Sequence, residues 1–303
     1  MKRLFYFILL VAGISSIHSC KDLADENGDP LVDLNTNTGL NGARALHQEI
    51  TDFASVADYR YSGLLLTKVY NGKSVTDIAY SGDRVSKITF DGFLDQNNDG
   101  TLDPGKVTFT QLFMYGGSGR LESITESRNI YKLAGTPPSQ VLDKQTKSIY
   151  TLKYNASTGK LETLTMQTGL DVPGTPFSYT AYSEAKYTYL GDNVSKVEKG
   201  FGTITGGVND PVALKYEYGF MNYDDRISPY SLLPFAYKIS YLLSTQFYDH
   251  RSLMLSPNNP SRASVTDLNV PVPTPVITST NFTYDPQTYM TKGYGVYYIY
   301  KPL

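Results

Sequence analysis

Tyr80-SGDR-Val85-SK-Ile88 is followed by Tyr115-GGSGR-Leu121-ES-Ile124, then by Tyr154-NASTGK-Leu161-ET-Leu164 and Tyr189-LGDN-Val194-SK-Val197. A weaker fifth copy reads Tyr284-DPQTY-Met290-TK-Gly293. Each unit closes one strand on an aromatic residue, turns through Gly, Asn or Asp, and opens the next strand with two apolar residues three apart. Glycine, Asn and Asp supply the positive φ that tight hairpin turns need at little steric cost. The units therefore read as β-hairpins. A spacing of three breaks strict alternation, and a bulge just after the turn restores it. Separations of 36, 40 and 33 residues between Val85, Leu121, Leu161 and Val194 leave room for loops of different length.

Working outward, Val107, Phe109 and Phe113 share one face, as do Tyr187 and Tyr189. Hairpins that follow one another without helical stretches give an antiparallel meander. Ten or more strands in one twisted sheet curl or split. The expected fold is all-β: a meander of repeated hairpins curled into an open or flattened barrel-like sheet. Ala43, Leu46, Ile50 and Phe53 fall at helical spacing, so one short N-terminal helix is expected there, an irregular strap being the other reading. Asn258-Asn259-Pro260 and Pro271, Pro273 and Pro275 mark a long irregular crossing before the last strands.

The start of the chain reads as an export signal. Lys2 and Arg3 precede an apolar run from Leu4 to Ile17, and Ile17-His18-Ser19 stand before Cys20, the one cysteine. About 14 apolar residues are too few to span a bilayer as a helix. Residues 1–19 are expected to be a lipoprotein signal peptide and Cys20 the lipidated residue, which anchors the protein to a membrane. Ile17 stands where Leu is commoner, and His18 is unusual beside a cleavage site. The competing reading is an ordinary secreted protein with a lone thiol, a liability in an oxidising compartment. Residues 20–41 form a flexible acidic tether, and residues 42–303 a single β-rich repeat domain. Lys21-Asp22 and the acidic residues after them resemble the export signal that sends some Bacteroidetes lipoproteins to the outer face, so an outer-membrane anchor facing the exterior is expected.

Losing Lys2 and Arg3 takes the net charge from −2 to −4, which steers no nucleic acid. With no disulfide available, stability must come from apolar burial, to which 26 Tyr and 13 Phe contribute. A membrane barrel needs an apolar outward band. Lys87, Glu122, Glu162, Lys196 and Glu198 occupy the alternate positions instead.

The aromatic-turn units resemble the tyrosine-aspartate repeats of large β-wrapped bacterial shells. Over roughly residues 55–301 the chain is similar to a family of Bacteroidetes lipoproteins of unknown function described as having a porin-like fold. Tyr223-DDRISPYSLL and Leu255-SPNN are the most family-specific pieces. The resemblance implies a fold and a location, and no reaction.

Asp95, Asn97, Asp99, Thr101 and Asp103 carry oxygens in the order of a calcium loop, with Gly100 at its sixth position. Lys106 holds the place of the usual bidentate glutamate, so a structural Ca2+ of low affinity is one reading and an Asx-rich hairpin loop the other. Catalysis finds no constellation. Beyond the signal only His47 and His250 remain, and Asp224, Asp225 and Asp249 have no spacing that tests a glycosidase pair. Tyr216, Tyr218, Tyr223 and Tyr230, or Tyr294, Tyr297, Tyr298 and Tyr300, could stack sugars or pack the sheet. The expected function is a tethered binding or scaffolding module of the cell envelope, not an enzyme, with an envelope protein or a glycan as partner. A glycan-binding or glycan-processing accessory of nutrient uptake is the alternative.

Overall fold

A computed structural model describes residues 44–96 and 101–302. The strands are β1 (Arg44–Ile50), β2 (Ser55–Ser62), β3 (Leu65–Asn71), β4 (Ser74–Ser81), β5 (Arg84–Gly92), β6 (Val107–Tyr115), β7 (Leu121–Ala134), β8 (Ser139–Tyr154) and β9 (Leu161–Leu170). They continue as β10 (Ala181–Leu190), β11 (Asn193–Thr205), β12 (Val208–Asn209), β13 (Leu214–Tyr223), β14 (Pro260–Asp267), β15 (Val276–Ser279), β16 (Thr283–Tyr284), β17 (Met290–Gly293) and β18 (Val296–Pro302). One α-helix, α1 (Phe235–Leu243), lies between β13 and β14.

Every named ladder is antiparallel, and consecutive strands pair from β2 round to β15, with β12 a side branch of β11. β1 lies between β2 and β18, and β17 and β16 extend that edge. The sheet thus curls until its first and last strands pair. Among the described residues no ladder joins β15 to β16, so the curl stops short of a closed barrel.

The repeat has a physical explanation. In five hairpins the closing tyrosine pairs with an apolar residue just after the turn, and the next residue is skipped: Thr67, Ser86, Glu122, Glu162 and Ser195. That is the bulge the spacing called for. It lets Val85 and Ile88 both face inward, although three residues separate them. The extra residue is held across the hairpin where it carries a hydroxyl: Ser86 donates to the Ala79 carbonyl at 3.3 Å and Ser195 to that of Thr188 at 3.1 Å. The fifth copy does the same, skipping Thr291. Gly82 and Gly191 sit first in their turns at φ 64° and 56°, where other residues are strained.

The tyrosines then link units. Tyr80 Oη donates to the Leu66 carbonyl at 2.8 Å, Tyr115 to Val85 at 2.9 Å, and Tyr154 to Leu121 at 2.8 Å. Tyr61 and Tyr223 reach Leu46 and Val194 likewise, at 2.8 and 2.7 Å. The basic residue that ends a turn covers the ring of the next unit: Arg84 over Tyr115 at 5.6 Å, Arg120 over Tyr154 at 5.5 Å, Lys160 over Tyr189 at 5.4 Å. Tyr80, Tyr115 and Tyr154 thereby pack their rings against the core and still satisfy their hydroxyls.

Two sequence expectations need correction. Residues Arg44–Ile50 form a strand, not a helix. β1 is buried on both faces, so its apolar residues do not alternate. Leu46 joins the main core while Ile50 packs with Ile299 and Tyr297 outside it. A register shift between Leu46 and Gln48 adds a bulge that mimics helical spacing. The irregular crossing expected from Asn258 to Pro275 instead holds β14, and the long excursion from the sheet comes before it. Residues 224–259 leave the sheet, and α1 sends Ala236, Tyr237, Ile239, Leu242 and Leu243 into the core with Leu66, Ile88 and Ile124. Asp224 clasps the neck of this segment, accepting from the Asn259 backbone N–H at 3.0 Å and from the Tyr284 hydroxyl. The family-specific pieces noted in the sequence are the two ends of this plug.

Replacing Tyr80 by Phe should cost about 1 kcal/mol of unfolding free energy, because the Leu66 carbonyl loses its donor. Tyr131→Phe, whose hydroxyl has no partner among the described residues, should change stability by under about 0.5 kcal/mol. Urea denaturation of both variants checks this; equal effects would discount the tyrosine links.

Candidate functional site

The predicted site residues separate. Cys20, Asn97 and Asp99 lie outside the described residues, as do the signal and the tether. Asp95, Thr101 and Asp103 belong to the loop between β5 and β6. One Asp103 carboxylate oxygen accepts the Gln96 N–H at 2.8 Å, and the Asp103 N–H donates to the Leu94 carbonyl at 3.0 Å, which closes the loop. Lys106 pairs with Asp91 at 2.8 Å, so the residue in the glutamate position is already engaged. Among the described residues no three His, Cys, Asp or Glu side chains converge on a metal position.

The catalytic candidates are built into the structure. Asp249 is buried against Lys199 at 3.2 Å and accepts from Ser252 and Tyr187. Asp224 holds the plug neck, and Asp225 is exposed beside Arg226 at 3.2 Å. Asp249 and Asp224 are thus both engaged in contacts that hold the fold. Burial drives His250 down to about 3, aided by Arg251 and Lys199, and burial lowers His47 as well. The tyrosine clusters pack: Tyr218, Tyr298 and Tyr300 are buried, Tyr230 meets Tyr298 Oη at 3.2 Å, and Tyr294 donates to the Pro260 carbonyl at 2.6 Å.

What sequence reasoning missed lies on the outer face. A trough of about 680 Å³ crosses β8 to β11, lined among others by Lys153, Gln167, Tyr182, Glu184, Lys186 and Lys215. Its wall is the segment after β11, folded back onto the sheet. Asp210 accepts from Thr203 at 2.6 Å and Thr205 at 2.8 Å, and its carbonyl accepts the Tyr182 hydroxyl at 2.6 Å. Gly200 and Gly202 make this possible: a Cβ on Gly202 would come within 2.5 Å of the Tyr182 ring, and one on Gly200 within 3.1 Å of Val212. Two glycines two apart on a strand are the signal that could have shown it.

The carboxylates of the trough are paired with lysines. Glu184 pairs with Lys186 at 3.0 Å, and Glu198 with Lys196 at 2.7 Å and Lys215 at 3.3 Å. The Lys196 hydrogen bond holds Glu198 below its ordinary pKa, the opposite of what a general acid needs. Among the described residues Tyr182 is the one aromatic residue in the lining.

The strongly perturbed carboxylate is inside. Glu49 on β1 is buried, accepts the Tyr59 hydroxyl at 2.6 Å, and is pushed by burial from 4.5 up to about 7. Tyr230 and Arg251 face it and oppose the shift in part. It lies under the plug and is not part of the lining of the outer trough.

No family model matches the chain, and no curated protein matches it. Among solved structures it is similar to a porin-like protein from Bacteroides vulgatus ATCC 8482, at 13% identity and TM-score 0.46, over 86% of this chain and 100% of that one. It is also similar to a porin-like protein from Bacteroides uniformis ATCC 8492, at 12% identity and TM-score 0.26, over 71% and 95%. These are of the kind that the sequence resemblance named. The architecture stands on the strand registers of this chain.

Glu49 fixes a pH dependence. Its folded pKa lies above its unfolded one, so its neutral form favours folding fully below about 4.5, and that advantage is lost as pH rises to about 7. The loss is about 3 kcal/mol at most. Buried His250 acts oppositely, costing stability as pH falls below 6.5. Glu49→Gln should therefore melt higher than the parent at pH 8 and alike at pH 4.5. Parallel melting profiles across that range would sink this assignment.

Proposed function

We propose that this chain is a surface-tethered lipoprotein of the bacterial envelope, acylated at Cys20, that binds or scaffolds a partner and does not catalyse. The observation that carries this reading is the difference between the two ends of the sheet. Strand direction alternates, so Arg44 opens β1 at the end that holds the tight turns after Ser62, Ser81, Tyr115, Tyr154 and Leu190. The longer loops, 93–106, 171–180, 206–213 and 268–275, gather at the opposite end. There β7 and β8 also run on as an arm beyond Ile130 and Lys144, exposing Leu133, Val141 and Leu142. An anchor joined through β1 would leave that end facing away from the membrane. Outward charges such as Lys68–Asp77 at 2.8 Å and Lys147–Asp171 at 3.0 Å support a body that stands in water, since charge on a lipid face costs about 2–4 kcal/mol at mid-depth. No helix among the described residues is long and apolar enough to cross a membrane.

A glycan ligand is the second reading, favoured by the polar trough beside Tyr182. A structural Ca2+ would be held by Asp95, Asn97, Asp99, Asp103 and the Thr101 carbonyl, hard oxygens that suit it, and would pin the loop at the far end.

Two measurements test this. Cys20→Ala should abolish acyl labelling and release the protein from the membrane fraction, while the parent is shaved by protease on intact cells; a parent without acyl chain would end the proposal. Calcium should raise the melting temperature saturably, with a chelator reversing it and lowering any signal on a glycan array. A melting temperature indifferent to both would remove the metal from the loop.

A further inference from the structure

The outer side of β1 is dry where the rest of the wall is wet. Its registers set the faces: Leu46 opposite Tyr300 and Glu49 opposite Tyr298 turn inward. Ala45 opposite Lys301, Gln48 opposite Ile299 and Ile50 opposite Tyr297 therefore turn outward. Asp58 on β2 stands beside Gln48 on the same side. Lys301, Asp58 and Arg60 act on the charge of His47, which puts its ring there too. Further round the wall the outer side carries exposed pairs such as Lys68–Asp77. Here Ile50 and Ile299 are 1% exposed, Ala45 7% and His47 8%. Among the described residues β1 packs against β2 and β18 within the sheet and against Pro229–Leu232 inside it, and none of these crosses the outer face.

The polar groups of this face are incomplete as well. Gln48 Oε1 and Asp58 Oδ1 are buried without a hydrogen-bond partner among the described residues, and buried acceptors call for donors. The other Asp58 oxygen is already taken by Arg60 at 2.7 Å. Lys292, opposite Tyr297, and Lys301, opposite Ala45, mark the two ends of the face, and neither has an ion pair among the described residues. A cover for this face must therefore bring apolar side chains, hydrogen-bond donors and acidic groups.

The chain that leads into β1 has all three. Leu31, Val32, Leu34 and Leu40 are apolar, and Asn35, Thr36, Asn37 and Thr38 carry donors. After the signal, Asp22, Asp25, Glu26, Asp29 and Asp33 stand against Lys21 as the one basic residue before Arg44. Asn41-Gly42, just ahead of β1, is a dipeptide that favours a tight reversal. Both edges of β1 are occupied, so a returning chain must lie on the face instead of joining the sheet. Arg44 to Ile50 is about 20 Å of strand, and residues 31–40 reach about 30 Å when extended.

We infer that the outward face of β18, β1 and β2 is a docking surface for residues 31–40 of the same chain, brought back over β1 by a turn at Asn41-Gly42. The leucines cover Ile50 and Ile299, the Asn and Thr side chains donate to Gln48 and Asp58, and the acidic residues ahead of Leu34 meet Lys292. Residues 20–30 remain as a spacer of about 36 Å when extended, enough to lead back past Arg44. The docking depends neither on acylation at Cys20 nor on the nature of any ligand.

The test uses the full mature chain in detergent. A zero-length carbodiimide joins carboxylates to amines in contact, and peptide mass spectrometry reads the links. Mixing isotope-labelled with unlabelled protein separates links within a chain from links between chains. The expected result is a link from Asp29 or Asp33 to Lys292 within one chain, weakened by salt. Accessibility of His47 to diethyl pyrocarbonate gives a second reading. Leu31→Ser combined with Leu34→Ser changes no residue of the sheet and should speed His47 modification about tenfold or more, with the circular dichroism of the sheet unchanged. Links only between chains would assign the face to a second copy and overturn the inference. So would the absence of a link from Asp29 or Asp33 to Lys292, or a double variant whose His47 reacts at the parent's rate.

Discussion

A sheet of this many strands encloses more space than its own inward side chains can fill. Everything inside follows from that constraint. Residues 224–259 occupy the interior, and they bring peptide groups that must be satisfied away from water. The wall strands answer with buried polar side chains. Arg128 on β7 donates to the carbonyls of Ser244 at 2.7 Å and Leu243 at 3.3 Å, neutralising the negative end of α1. Glu126 beside it accepts from Arg128, Gln111 and Gln246, and Tyr150 closes the network. Such a network adds little net stability compared with an apolar core. It does select one seating of the plug, since any other leaves buried charge without a partner.

The same constraint separates the molecule's two surfaces. Apolar and aromatic residues turn inward against the plug, while the outer face alternates Lys, Thr and Glu. What remains outside is shaped by backbone more than by chemistry. The trough over β8 to β11 exists because Gly200 and Gly202 let a returning segment lie flat on the sheet. Its carboxylates Glu184 and Glu198 are tied to lysines.

The hairpin repeat was legible because each device in it is local. The turn, the bulge and the inward pair Val85 and Ile88 lie within nine residues, and their chemistry reads directly. β1 was not legible, because a strand buried on both faces has no alternation to show. α1 was hidden for a related reason: Phe235–Leu243 is buried nearly all round, Lys238 and Ser240 included, so polarity does not mark its faces. Its run of Phe, Ala, Tyr, Ile and Leu after Pro234 was the available signal, and hairpin patterning on either side obscured it. Candidate carboxylates and histidines went astray because their roles depend on partners far along the chain, such as Lys199 for Asp249 and Asn259 for Asp224.

From the residues alone came the all-β class, the meander, the bulged hairpins and an inward-facing aromatic core, because neighbouring residues suffice to specify turns and faces. Tertiary structure alone decided how the curl ends, with β1 pairing β18, and what fills it. It also decided which charges are shared, as between Lys199 and Asp249. Those outcomes depend on contacts between segments as distant as Arg44 and Asp285, and a linear pattern carries no record of which distant groups will meet.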